Sequence, residues 1–343
     1  MTLIFDKRQL SVSPALAPLL RETGEFDSQQ DAGVVLNIGL INNMPDSALQ
    51  ATERQFMRLL KAAAGNHRIH LHCFSLPSVR RSQTAKCHID RQYTDIAHLG
   101  RLQLDGLIVT GAEPKAATLP EESFWQELIE IVDWAEANTR STIWSCLAAH
   151  AAVLHLDGIE RQRLDAKCSG VYDCAKMVDD WLTRDLPSPF RILHSRLNGL
   201  RKRDLTSQGY QILTQSQQAG VDTFVKQLRS YFVFFQGHPE YDTLSLQREY
   251  LRDLSRFLAG KQDAYPTVPT GYFDAETEKT LANFQQRASV ERKAALSAEL
   301  PALTTRPDIA AGTAGTVIFQ NWLGYLSLGA RSKLSSVAHG ARP

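Results

Sequence analysis

Blocks of apolar and polar residues succeed one another along this chain, and the period changes from block to block. VVLNIGL at 34–40 is a short, β-branched apolar run. The turn-forming NNMPD follows, then ATERQFMRLLKAAAG, whose apolar residues recur at helical spacing up to Gly65. Strand, loop and helix are predicted in that order. IHLHCFSL from Ile69 alternates as a strand does, and GLIVTG at 106–111 is a run of the buried type. FWQELIEIVDWAEAN from Phe124 returns to helical spacing, and STIWSC reads as a strand running straight into the alanine-rich helix LAAHAAVLHL.

Strands that alternate with helices predict parallel βαβ units and a three-layer α/β domain. From Tyr210 the spacing tightens. YQILTQS, AGVDTFVKQ and YFVFFQG are three strand-like runs with short gaps, which predicts an antiparallel portion, and so a mixed sheet, before a helix over 243–258. Pattern alone leaves the strand order open. The chain thus divides into a polar lead-in at 1–33, an α/β domain at 34–261 that carries the chemistry, and an insertion or linker at 262–314. The insertion holds PTVPTGYFD and a charged amphipathic helix from Ala275 to about Leu300. The remainder, 315–343, reads as a helix packing back on the domain, with RSKLSSVAHGARP left as a frayed tail.

Composition removes several classes of function. A chain of 343 residues can bury a substantial core. Its 38 basic and 37 acidic residues nearly cancel without a basic block, so no nucleic-acid partner is expected. No apolar run reaches the roughly 18 residues of a membrane span, and MTLIFDKRQLSVSP lacks the features of a signal peptide. A soluble, cytoplasmic protein acting on small molecules is the expectation. The five cysteines (Cys73, Cys87, Cys146, Cys168, Cys174) are odd in number, irregular in spacing and without a C-x-x-C. Reduced thiols are therefore expected, with neither a disulfide framework nor a metal site.

One of these thiols stands apart. Cys146 lies where a buried strand meets a helix rich in small residues, a tight turn that exposes a nucleophile at the carboxyl edge of a sheet. There the positive end of the helix dipole favours a thiolate, and backbone N–H groups can hold an oxyanion. A plain buried cysteine would produce the same local pattern. A second feature favours chemistry: YFVFFQGHPEYD places His238 and Glu240 directly after another strand of the same sheet. A cysteine nucleophile needs an imidazole base, and that base needs a carboxylate to fix its tautomer. Taken alone, HPE could be a capped turn with a surface histidine.

With these motifs in place, the chain resembles the homoserine O-succinyltransferases and O-acetyltransferases of methionine biosynthesis. The likeness is carried by NNMPD with ATERQFMRLL, DGLIVTGA, FWQELIEIVDWA, STIWSCLAAHA, LDAKCSGVYD, HSR at 194–196, GHPEYDTLSLQREYLRD and FQNWLGYL, in the family order. It implies a three-layer, flavodoxin-like (class I glutamine-amidotransferase-like) fold with a mixed sheet. It also implies a catalytic Cys146, His238 and Glu240, and substrate contacts from Lys167, Ser195, Glu249 and Arg252. An arginine can grip an α-carboxylate and a glutamate an α-ammonium, although Glu249 and Arg252 could equally be a solvated helix pair. The implied route is ping-pong through an acyl-cysteine, with oxyanion donors placed at Gly111 and Leu147. No cofactor is implied beyond a coenzyme A thioester as co-substrate, and homodimers are common in the family.

The chain departs from the family pattern at several points. Asp46 and Ser47 stand where lysine is usual, Leu147 where tryptophan is usual, and Leu197, Asn198 and Gly199 follow HSR in place of histidine, threonine and glutamate. The position that governs acyl choice falls on Lys115, which is neither the glutamate that goes with acetyl nor the glycine that goes with succinyl. A lysine could pair with a succinyl carboxylate, which favours succinyl-CoA, or could as well point to solvent; homoserine as acceptor is what the resemblance implies. Acetyl-CoA, serine as acceptor, and a glutamine-amidotransferase-like hydrolase are the alternatives.

Overall fold

The computed structural model describes residues 3–5, 33–307, 309 and 313–340, with side chains between residues 33 and 330. In the first half, β1 (Leu3–Phe5), β2 (Val35–Ile41), α1 (Asp46–Ala63), β3 (Arg68–Phe74), α2 (Gln83–Gln92), β4 (Gly106–Val109), α3 (Trp125–Asn138), β5 (Ser141–Ser145) and α4 (Leu147–Asp157) follow one another. The second half holds β6 (Gln162–Lys176), β7 (Phe190–Gly199), α5 (Lys202–Ser207), β8 (Gln211–Ile212), β9 (Thr214–Ser216), β10 (Gly220–Val221), β11 (Thr223–Gln227) and β12 (Tyr231–Phe235). Helices α6 (Ser245–Leu258), α7 (Ala275–Glu291) and α8 (Thr313–Gly340) complete it.

The main sheet has the order β1-β3-β2-β4-β5-β12-β11-β8. Pairings from β1 through β12 are parallel, while β12–β11 and β11–β8 are antiparallel, so the sheet is mixed as the spacing after Tyr210 predicts. Its central strands are continuous apolar runs because both faces are covered. The twofold alternation sorts them: Ile38, Ile108, Ile143, Val233 and Phe235 face one core, and Leu107, Val109, Trp144, Phe232 and Phe234 the other. Helices α1 and α8 cover the first face, and α3 and α4 the second. Three layers result.

A second sheet, β10-β9-β6-β7, was not anticipated from the pattern. YQILTQS and AGVDTFVKQ each contribute one short strand to each sheet, the chain crossing between them at Leu213 and at Asp222. Alternation describes a strand but not a change of sheet within it. Three other expectations are corrected. The charged helix stops at Glu291, where Arg292 turns left-handed at φ 31°, and a short 3-10 turn over Ala294–Glu299 takes its place. Helix α8 runs on to Gly340, through most of the stretch expected to fray. The polar lead-in supplies β1 at the sheet edge, paired with β3, and residues 6–32 lie outside the described residues.

Two packing contacts bear on function. Trp322 of α8 donates Nε1–H to Ser141 Oγ at 2.9 Å, tying this helix to the strand that ends before Cys146. Gly315, near the start of α8, lies so close to Pro239 that an added Cβ would sit 2.3 Å from its carbonyl oxygen. The C-terminal helix therefore backs the turn holding His238 and Glu240. Residues from 262 onward pack Tyr272, Phe273, Leu281 and Phe284 against Tyr250, Leu254 and Phe257 of α6. No helix among the described residues is long and apolar enough to cross a membrane.

Candidate active site

Cys146 separates β5 from α4 at φ 53° and ψ −113°, a left-handed conformation that non-glycine residues rarely adopt. Such strain persists only where the surroundings over-determine it. Here the Cys146 N–H donates to Phe235 O at 2.8 Å, and the His150 N–H donates to Cys146 O at 3.3 Å. Because β5 and β12 pair in parallel with Ser145 opposite Phe235, the chain after each strand emerges at the same edge. That register brings Cys146 and His238 together.

Between them, Gly237 is required for space. A Cβ there would lie 2.4 Å from both Asp222 Oδ1 and Ile192 Cγ2. The His238 N–H then donates to Leu193 O at 2.8 Å, its ring stacks on Tyr241 at 4.0 Å, and Nδ1 lies 2.9 Å from Glu240 Oε1. Nε2 is buried with no hydrogen-bond partner among the described residues. Burial alone would depress the imidazole, yet the Glu240 carboxylate, with Cys146 beside it, holds His238 well above the usual histidine value. One ring nitrogen is therefore fixed and the other is free for proton transfer.

A cleft of about 1320 Å³ opens over these groups at the carboxyl edge of the main sheet, where ligands bind in open α/β sheets. All ten residues singled out from the sequence line it: Gly111, Lys115, Cys146, Leu147, Lys167, Ser195, His238, Glu240, Glu249 and Arg252. A Cβ on Gly111 would approach Leu147 N to 3.1 Å, so the two expected oxyanion donors are neighbours. The Leu147 N–H precedes the first hydrogen bond of α4 and is free of the helix ladder. Lys115 is exposed at the rim; its backbone N–H and that of Ala116 donate to Glu122 Oε1 at 2.7 and 2.9 Å.

The opposite wall comes from β6, β7 and α6. Lys167 Nζ lies 3.0 Å from Asp253 Oδ2 and 3.6 Å from Glu249 Oε2. Glu249 also accepts from the Ser195 and Tyr241 hydroxyls, and Arg252 donates Nε–H to Asp253 Oδ1 at 2.9 Å. Burial raises the Asp253 carboxyl, but Lys167 and Arg252 outweigh it and leave it below the ordinary carboxylate range. Glu249 and Arg252 thus do not pair with each other as neighbours on a solvated helix would. Each is engaged by a different partner on a wall of two acids and two cations.

Sequence reasoning did not single out Asp253, Tyr241 and Arg161, which also line the cleft. The first two adjoin residues already singled out, so adjacency was the available signal; Arg161 belongs to none of the motifs and had none. Asp46, which stands where lysine is usual after NNMP, is held by its own neighbours. Arg81 reaches back to donate to Asn42 O at 3.0 Å, Ser75 Oγ at 2.9 Å and Met44 O, while Asp46 accepts from Ser82 N–H at 2.7 Å.

Known proteins similar to this chain share its sequence pattern. The sequence pattern of the family described as homoserine O-succinyltransferase matches residues 22–331. A homoserine O-succinyltransferase of Bradyrhizobium japonicum is 57% identical over 330 residues, 96% of this chain and 100% of the relative. One of Rhodopseudomonas palustris is 56% identical over 326 residues, 94% and 98% of the two chains. Among solved structures, a glutamine amidotransferase from Thermotoga maritima is similar with a TM-score of 0.47 and 11% identity, over 87% of this chain and 99% of that one. With the family pattern spanning most of the chain and relatives matched nearly end to end, this chain belongs to the homoserine O-succinyltransferase family.

Proposed function

We propose that the protein transfers a succinyl group from succinyl-CoA to the hydroxyl of L-homoserine through an acyl-Cys146 intermediate. The observation that carries this reading is the left-handed Cys146 turn beside a histidine whose Nδ1 is fixed by Glu240 and whose Nε2 is unpartnered. His238 takes the thiol proton, and the Cys146 sulfur attacks the thioester carbonyl. The N–H groups of Gly111 and Leu147 receive the oxyanion, and the CoA sulfur leaves with the proton held by His238. In the second half, His238 takes the proton of the acceptor hydroxyl, whose oxygen attacks the acyl-cysteine; the proton then returns to the departing Cys146 sulfur.

The mixed wall suits an amino-acid acceptor. Arg252 is placed to receive an α-carboxylate and Glu249 an α-ammonium, while Lys167, Asp253, Ser195 and Tyr241 hold these two side chains in position. Coenzyme A enters as co-substrate, no resident cofactor takes part, and the setting is cytoplasmic, with two copies of the chain as the family-implied assembly. Incubation with succinyl-CoA should give a stoichiometric succinyl adduct on Cys146 by intact mass, discharged by added homoserine with recovery of the free thiol. An adduct formed with glutamine instead, with ammonia released, would establish an amidotransferase-like hydrolase and sink this reading.

A further inference from the structure

We infer that Arg161 forms the subsite for the distal carboxylate of the acyl donor, and so selects a dicarboxylic acyl-CoA over a neutral one. This inference rests on the succinyl-CoA reading above and names the residue that enforces it.

The cations of the cleft can be taken in turn. Lys167 and Arg252 are engaged by Asp253 and Glu249, and Arg256 pairs with Glu113 at 2.8 Å. Arg196 is turned inward to Asn198 O and Ala219 O. Lys115 and Arg163 are exposed, where a lone charge is well solvated and gains little from pairing. Arg161 differs from all of these. It is half-buried in the cleft wall, and its guanidinium makes no hydrogen bond or ion pair among the described residues.

Its neighbours define which part of a ligand it could meet. Burial draws the guanidinium below its ordinary proton affinity, opposed by the fields of Glu122 and of Cys146, so it stands within electrostatic reach of the nucleophile. Glu122 makes no ion pair with it and is already occupied by the N–H groups of Lys115 and Ala116. A partly desolvated guanidinium with no direct ion pair, lining the same cleft as Cys146, is complementary to an anion on the acyl group itself. A succinyl thioester carries such an anion at the end of a short methylene spacer; an acetyl thioester has none. The α-carboxylate of the acceptor is assigned to Arg252 in the reading above, which leaves Arg161 for the donor.

The test compares acyl-enzyme formation from succinyl-CoA and from butyryl-CoA, a donor of equal chain length without the charge, in the wild-type chain and in Arg161→Gln and Arg161→Lys. Wild type should prefer succinyl-CoA, and Arg161→Gln should lower that preference in kcat/KM by about tenfold or more, through the succinyl arm alone. Arg161→Lys, which keeps the charge but loses the planar fork, should restore part of it. If both donors slow equally in Arg161→Gln, or if the ratio stays at the wild-type value, the inference is overturned while the succinyl-CoA reading stands. If the wild-type chain forms no succinyl adduct at all, the donor reading itself fails, and the inference falls with it.

Discussion

Two buried histidine–carboxylate pairs lie almost side by side in this protein, and only one is arranged to do chemistry. His238 and Glu240 follow β12; His194 of β7 faces Asp222, with His194 Nε2 3.3 Å from Asp222 Oδ1. The second pair is the more deeply enclosed, at 0% and 1% exposure, and stands where the chain crosses between the two sheets. Asp222 also accepts from Thr214 Oγ1 at 2.8 Å and Thr223 Oγ1 at 2.9 Å, and Arg196 Nε–H donates to His194 Nδ1 at 3.5 Å. His194 Nε2 thus faces the Asp222 carboxylate, without a hydrogen bond of good geometry among the described residues, whereas the open nitrogen of His238 lies beside Cys146.

The electrostatics diverge accordingly. Burial depresses His194, with Asp222 only partly offsetting it and Arg196 adding to the effect. For His238 the carboxylate and the cysteine win over burial. The difference teaches that a histidine–acid pair is a base only when its second nitrogen faces a reactant. Otherwise it joins two elements of the fold, here the small sheet and the large one.

The contrast can be broken most forcibly at the chemistry. Cys146→Ala and His238→Ala should each reduce acyl transfer by roughly 10⁴-fold or more, because these groups act as a unit; the unfolding midpoint should change little in Cys146→Ala and fall in His238→Ala, which leaves the buried Glu240 without its partner. If Cys146→Ala still turned over, the covalent route would be wrong. Glu240→Gln should come next, with turnover lower by about 10³–10⁴-fold and acyl-CoA binding retained, since an amide holds the position without stabilising the imidazolium. Normal turnover in that variant would remove Glu240 from the site.

The other pair should fail differently. His194→Ala removes a partner of the buried Asp222 carboxylate and should cost about 1–3 kcal/mol of stability, visible in the urea midpoint. Whatever folded protein remains should form the acyl-enzyme at a rate near that of wild type. A variant that folded normally but could not be acylated would show that His194 takes part in the chemistry.

The smallest effect is a pair of opposed pH slopes. With its folded pKa raised above 6.5, His238 contributes stability that is complete below 6.5 and is lost as pH rises through the folded value. His194 has its folded pKa depressed below 6.5, so its contribution grows as pH rises through that window and is complete above 6.5. Each can tilt stability by at most about 1.4 kcal/mol per pH unit. Removing His238 should therefore make stability rise more steeply with pH above 6.5, and removing His194 should make it rise less steeply below 6.5. Equal slopes in the two variants would show that the two pairs titrate alike.

Much of this protein was decided locally. Continuous apolar runs at 34–40, 106–109 and 231–235 specify strands covered on both faces, and the small residues after Cys146 specify a helix that can pack close behind a nucleophile. Cys146, His238 and Glu240 could be named as candidates because the turns that would serve such a site are written next to the residues themselves. Tertiary structure alone decided which strands became neighbours, and with that register the meeting of Cys146 and His238 across 92 positions of chain. It also split two strand-like runs between two sheets, carried α8 under Pro239, and left Arg161 without a direct ion pair among the described residues while giving one to Lys167 and Arg252. The physical reason is that periodicity reports which face of an element is buried, whereas the partner of a charge depends on residues far along the chain that only the folded core brings within a few ångströms.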